Sequence, residues 1–341
     1  MKVEAKFWEK MSGKKVRCFL CARRCEIADG KTGVCRARIN EDGKMFSLVY
    51  GSIVSMAVDP IEKKPLYHFW PGSDVFSIAA PGCNFFCKHC QNWEISQASI
   101  FDIPCEEIPP ERLVDMTEES GSSGIAHTYT EPTLWSEYAI DVGKIAHKRN
   151  LYNVYVTNGF MTIEALEEIG KYIDAANVDV KAFSEDFYRR ICGVTSIQPV
   201  LESCEWMVEH GVHLEITYLI IPGENDGREE IEKFSRWVVE KLGENVPVHF
   251  SRFYPHFKMT DKPPTPVETL EMAVEIARKA GVKFVYIGNV PGHEFDNTYC
   301  PSCGGLLIER RGFYITEYRV RNGKCPDCGE KIPIVGRYLK R

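Results

Sequence analysis

Cysteine is the residue type in which this sequence concentrates its chemistry. Of fourteen cysteines in 341 residues, eleven fall into three groups. Cys83, Cys87 and Cys90 lie in APGCNFFCKHCQNW, spaced by three and then two residues. Three thiolates on one tight loop suit an iron–sulfur cluster better than zinc, which would want a fourth protein ligand. A cubane held by three cysteines leaves one iron open to bind something else. A zinc site borrowing a distant ligand, or three thiols gathered by chance, is the competing reading. Cys300, Cys303, Cys325 and Cys328 form CPSC and CPDC about twenty residues apart, the spacing of a zinc ribbon. Iron in a rubredoxin-like site would use the same four ligands. Cys18, Cys21, Cys25 and Cys35 are spaced by two, three and nine residues. They suit zinc or a second iron–sulfur cluster, with a structural metal site the default and incomplete ligation a third option. Cys105, Cys192 and Cys204 stand alone and read as packing residues.

The surrounding chain is globular in composition: 44% hydrophobic, 26% charged, with a net charge of −6. That excludes disorder, collagen-like repeats and coiled coil. No apolar run approaches the roughly 20 residues a membrane helix needs, and the polar start MKVEAKFWEK is no signal peptide. The expectation is a soluble, cytoplasmic protein whose cysteines serve metal or redox chemistry rather than disulfides. Residues 1–40 carry a net +7 and residues 298–341 a net +5, leaving −18 between them. Basic ends suit nucleic acid or an acidic partner, and equally suit solvated charge around anionic thiolate sites.

Seven Val/Ile/Tyr-rich runs begin at residues 74, 124, 152, 176, 213, 246 and 283. Amphipathic segments of helical period separate them, several starting with Pro and ending before Asn or Gly. This alternation predicts an α/β architecture: a doubly wound sheet, or a partial or full (β/α) TIM-like barrel, with function at the carboxyl ends of the strands. Residues 1–73 read as a Cys-rich N-terminal module, 74–297 as the β/α unit and 298–341 as a hairpin-rich zinc-ribbon module. The cysteine triplet directly follows the first strand. In ANVDVK, Asp179 and Lys181 are two apart and so share one face of their strand. Such a pair is costly inside a barrel unless used or mutually satisfied. Within DPIEKKPLYHFWPG, Lys64, Tyr67 and His68 could approach a substrate. Packing of the first module on the strands is preferred, with His68 the best functional candidate.

CNFFCKHC resembles the cluster motif of the radical S-adenosylmethionine (SAM) family, with His89 at its usual aromatic position. The resemblance implies that Cys83, Cys87 and Cys90 hold a 4Fe–4S cluster whose open iron chelates SAM. One electron from an external donor would then cleave SAM to a 5′-deoxyadenosyl radical that abstracts hydrogen from a substrate. HTYTEPTLW stands where the family has a GGEP-like stretch, implying that Tyr129, Thr130 and Glu131 hold the SAM amino group. The glycines are missing, and Glu131 could instead cap the helix that follows. VTNGF places Asn158 near SAM, and the D-x-K element assigns Lys181 to its carboxylate with Asp179 beside it, or the two form a structural ion pair. His249 and Arg252 are expected at or near the sixth strand end as SAM or substrate contacts, although a lone His or Arg there is often structural. Across nearly the whole chain, CxLCxxxC…GxxGxC, DPIEKKPLYHFWPGS, YTEPT and YIGNVPGHEFDNTYCPSCG resemble the radical SAM member of the AmmeMemoRadiSam system. That subfamily is also described as pyruvate formate-lyase-activating-enzyme-like, and the resemblance implies Memo-like and AMMECR-like partners. A glycyl-radical-enzyme activase is the first alternative. A metal-binding adaptor or nucleic-acid-binding protein with an inert barrel is the second.

Overall fold

The structure, a computed structural model, describes residues 1–340. The seven apolar runs form parallel strands β1 (Asp74–Ala79), β2 (Gly124–His127), β3 (Tyr152–Thr157), β4 (Ala175–Asp179), β5 (His213–Ile220), β6 (Val248–Arg252) and β7 (Val285–Gly288). Between them run helices α1 (Pro110–Glu119), α2 (Ser136–Lys148), α3 (Ile163–Ile169), α4 (Gln198–Glu209), α5 (Arg228–Trp237) and α6 (Val267–Ala280). Local chemistry sets the helix ends. Proline occupies the first turn of α1 and α4, the Thr162 hydroxyl accepts from the Ala165 amide to cap α3, and Gly281 ends α6 at φ +108°.

The strands lie side by side in chain order, and Ser55–Pro60 adds an antiparallel strand beside β1. That strand falls within the first sequence module, so the sheet begins before residue 74. Among the described residues the two edge strands do not pair, so the sheet is open and is not a fully closed barrel.

Sequential neighbours joined by right-handed crossovers place all the helices on one face. The other face must be covered by something else. Pairing register and the two-residue period put Asn177, Glu215, Thr217, His249 and Tyr286 on that face. Residues 61–73 lie across it. Asn177 Nδ2 donates to the Pro65 carbonyl at 2.8 Å, and the His68 amide donates to Glu215 at 2.7 Å. The Tyr67 ring meets His249 and Tyr286 edge-on, at 4.7 and 4.8 Å between centroids. His249 therefore does not stand at a strand end. It is the second residue of β6, buried and bonded to the buried Glu215 carboxylate at 2.7 Å. His68 is also structural: its ring bonds the Tyr286 hydroxyl at 2.6 Å and the Pro333 carbonyl at 3.2 Å, and burial pulls its pKa down to about 3.

The C-terminal hairpin, Leu306–Arg311 with Tyr314–Tyr318, is pinned to this layer by Arg310. Its buried guanidinium stacks 4.1 Å from the Tyr67 ring centroid and donates to the Tyr67 and Asp296 carbonyls. The chain then runs back under residues 68–72: the Val335 amide donates to the His68 carbonyl and the Leu339 amide to the Pro71 carbonyl. The N-terminal module consists of two small antiparallel sheets. It is locked to the first turn of α2 by an ion pair between Arg38 and Glu137, both almost fully buried. Glu137 also accepts from the Lys6 amide at 2.8 Å. Removing one partner of a buried pair strands the other charge. Glu137→Ala is therefore expected to lower the unfolding free energy by about 3–5 kcal/mol in denaturant titration. A loss typical of an exposed pair would show that the lock is peripheral.

Candidate functional site

The loop after β1 carries Cys83, Cys87 and Cys90, and neighbouring segments tie it down on several sides. The Phe86 and Lys88 amides donate to the Cys192 and Ile191 carbonyls at 2.9 and 3.0 Å, and the Lys88 carbonyl accepts from the Lys258 amide at 2.9 Å. Asn92 Nδ2 reaches the Tyr129 carbonyl at 2.7 Å, and Arg23 Nε donates to the Asn84 carbonyl at 2.5 Å. Side chains and backbone from four other parts of the chain thus fix one loop. The Phe85 amide points at the Cys83 sulfur at 3.3 Å, and Cys90 Sγ lies 3.2 Å from the Ser96 hydroxyl. Burial raises the Cys83 and Cys90 thiols above their ordinary range, so ligation there must expel protons.

Two buried polar atoms beside this triad have no partner among the described residues: Asn84 Nδ2 and His89 Nδ1. Burial pulls His89 down to about 3, with Lys181 adding to the effect, so its ring is neutral. Buried polar groups are almost always satisfied. Orphans on either side of three converging thiols fit a bound group that they would contact, and the donor set suits an iron–sulfur cluster.

The end of β2 supplies the next wall. Tyr129 adopts φ +64°, the left-handed conformation natural to glycine, where the resembling family stretch has glycine. The backbone shape is kept without the residue that makes it easy, at a strain cost of roughly 1–3 kcal/mol. Contacts hold it there: the Tyr129 hydroxyl donates to Asp59, and Lys64 Nζ sits 4.4 Å from the ring centroid. Asp59 binds Lys63 and Lys64 at 2.7 Å each, and burial lowers Lys64 to about 8. Lys64 therefore serves Asp59 and Tyr129. Thr130 Oγ1 donates to the Ala80 carbonyl at 2.6 Å, joining the ends of β1 and β2.

Glu131 is occupied by the protein itself. One oxygen accepts from the Thr133 amide, the Thr133 hydroxyl and the Thr157 hydroxyl, and the other from the Asn158 amide at 2.8 Å. It caps the turn Pro132–Trp135 and fixes the end of β3. Asn158 relays this order to the triad: its Nδ2 donates to Asn84 Oδ1 at 2.7 Å and lies 3.8 Å from Cys83 Sγ. Gly159, at φ +68°, leaves no room for a side chain, since a Cβ would lie 2.9 Å from Val178.

Asp179 ends β4 and pairs with Lys181 at 3.0 Å, with Asp179 about one-third exposed. Lys181 lies within electrostatic range of Cys87. Arg252 ends β6 and donates to the Thr265 carbonyl and the Tyr254 hydroxyl. Trp93, just past the triad, stacks on Phe257 of the segment after β6 at 4.9 Å. The strand ends thus gather Tyr129, Thr130, Asn158, Asp179 and Lys181 around the triad. Cys192 joins them unexpectedly: its buried thiol lies within electrostatic range of Cys87. Nothing in its local sequence signals this, because the contact spans about a hundred residues.

In the C-terminal module all four sulfurs of Cys300, Cys303, Cys325 and Cys328 lie within 4.8 Å of one another, with pairs at 3.5 and 3.7 Å. Tetrahedral bonds of about 2.3 Å to one ion imply sulfur–sulfur separations of roughly 3.8 Å. The four fit a single metal ion. Cys18, Cys21, Cys25 and Cys35 line one pocket of the N-terminal module.

Residues 77–238 match the radical SAM superfamily. An uncharacterized protein from Methanocaldococcus jannaschii is 47% identical over 334 residues, covering 97% of this chain and 99% of the relative. The pyruvate formate-lyase-activating enzyme of Clostridium pasteurianum is 27% identical over 180 residues, covering 49% of this chain and 72% of that enzyme. Among solved structures, a radical SAM methyltransferase from Sphaerobacter thermophilus shares the fold with a TM-score of 0.52 at 17% identity, covering 70% of this chain and 71% of that one.

The sulfur geometry of the C-terminal module predicts its metal content. The protein is expected to carry one tetrahedral ion there, lost with a lowered melting temperature in Cys303→Ser/Cys328→Ser. Elemental analysis and calorimetry check this; unchanged metal content in the double variant would refute it.

Proposed function

The chain belongs to the radical SAM superfamily, and on that footing we propose that it is an enzyme in which Cys83, Cys87 and Cys90 hold a 4Fe–4S cluster. With SAM bound, that cluster supplies reductive cleavage of SAM to a 5′-deoxyadenosyl radical, which abstracts hydrogen from a substrate still to be identified. The observation that carries this reading is a three-thiol loop fixed from several sides and flanked by two buried, unpartnered polar atoms.

The protein's own part is to bind, orient and exclude water. Asp179 and Lys181 offer opposite charges at one strand end, suited to the amino and carboxylate groups of SAM. Asn158 and Glu131 act as positioning residues behind the triad. The Trp93–Phe257 stack stands just past the triad loop. The C-terminal quartet is assigned zinc in a structural role, and the electron comes from an external donor. Membership of the AmmeMemoRadiSam system, with Memo-like and AMMECR-like partners, is supported by the terminal motifs and is testable by co-purification.

Similarity to an activating enzyme supports a second reading, in which the hydrogen comes from a backbone glycine of a partner. Deuterated cell-extract fractions separate the two, since label passes into 5′-deoxyadenosine from small molecules in one case and from a protein in the other. Reconstituted, reduced protein is expected to release 5′-deoxyadenosine from SAM, and Cys87→Ala to abolish it. Absence of product from cluster-loaded protein, or an active Cys87→Ala, would leave the adaptor or nucleic-acid-binding reading in its place.

A further inference from the structure

The N-terminal quartet answers a question that its spacing leaves open. Cys18, Cys21, Cys25 and Cys35 come from separate turns and strands of a small module, yet all four line one pocket. Their separation differs from that of the C-terminal quartet. Among the described residues, the C-terminal four are the one group with three or more potential ligands drawn within 4.8 Å of each other. The N-terminal sulfurs stand farther apart, as do those of the triad. Four thiolates sharing one zinc ion must crowd together, whereas thiolates on different irons of a cluster are held apart.

Charge points the same way as spacing. Arg38 Nη1 lies 3.8 Å from Cys18 Sγ, and Arg23 and Arg24 also line the pocket. A four-thiolate centre is anionic, and these cations complement it. Position adds a functional constraint. The Cys35 carbonyl comes so close to Gly82 that a Cβ there would lie 2.9 Å from it, and Gly82 is next to Cys83. Arg23, between Cys21 and Cys25, donates to the Asn84 carbonyl, and Cys21 bridges to Met161 in the turn that holds Asn158. The two cysteine loops thus meet backbone to backbone at Cys35 and Gly82.

We propose that Cys18, Cys21, Cys25 and Cys35 hold a second iron–sulfur cluster rather than zinc, set against the triad loop. Such a centre exchanges one electron at a time and transfers no atoms, which suits a site beside a loop that must receive a single electron.

The test counts metals in the full chain, reconstituted anaerobically with iron and sulfide. Wild type is expected to carry about two to four irons beyond the triad's share, with matching sulfide, and about one zinc. Cys83→Ala/Cys87→Ala/Cys90→Ala should retain about two to four irons and show a low-temperature electron paramagnetic resonance signal on reduction. Cys21→Ser/Cys35→Ser should lose that iron while keeping the triad's. The proposal is overturned if the triad-less chain holds no iron, or if wild type carries a second zinc. If instead the triad binds nothing, wild type and the triad-less chain contain equal iron, so that failure is told apart from this one.

Discussion

One buried carboxylate sets the geometry on which the site depends. Glu131 gathers two amides and two hydroxyls from the turn after β2 and the end of β3. Leaving a buried donor unsatisfied costs about 1–3 kcal/mol each, so these strand ends have little freedom to drift. Asn158 carries that fixity to Asn84, and Asn84 to the loop bearing Cys83. The loop is irregular, but its anchors are the ends of strands. A site built this way holds its geometry before any ligand arrives.

The second constraint is topological. Strands laid down in chain order leave one face without helices, and that face carries Glu215, His213, His249 and Asn177. Polar groups there are stable only because residues 61–73 bring carbonyls, amides and rings to them. The polar face therefore divides by depth: covered below, and more exposed at the carboxyl end around Asp179, which pairs with Lys181.

Much of this was legible in the sequence, for identifiable reasons. Strands buried on both faces give continuous apolar runs, so all seven parallel strands stand out, and proline and glycine mark the helix ends. Cysteine spacing reveals the triad because its ligands lie within one loop. Depth along a strand was not legible: His249 and Arg252 share a strand, and only the pairing shows which one is covered. Nor was the role of Glu131, since a carboxylate at that position can cap a turn or meet a ligand, and its donors from β3 decide. Cys192 was invisible because its neighbour Cys87 is distant in sequence. The convergence of the four N-terminal cysteines on one pocket was legible only in part, because distances between sulfurs are not encoded by spacing along a chain.

The closed side of the sheet is finished by the last residues described. Leu339 packs its carbonyl against Gly72, where a Cβ would lie 2.2 Å away, and Gly336 lies against the Trp70 ring. Residues 68–72 thus wait for residues 335–339 to reach them. During synthesis on the ribosome, the strands and their helices can assemble first, while Tyr67, His68 and Trp70 remain without their final cover. Folding therefore ends with a long-range closure: the polar layer beneath the site is sealed only when residues 335–339 have come back across residues 68–72.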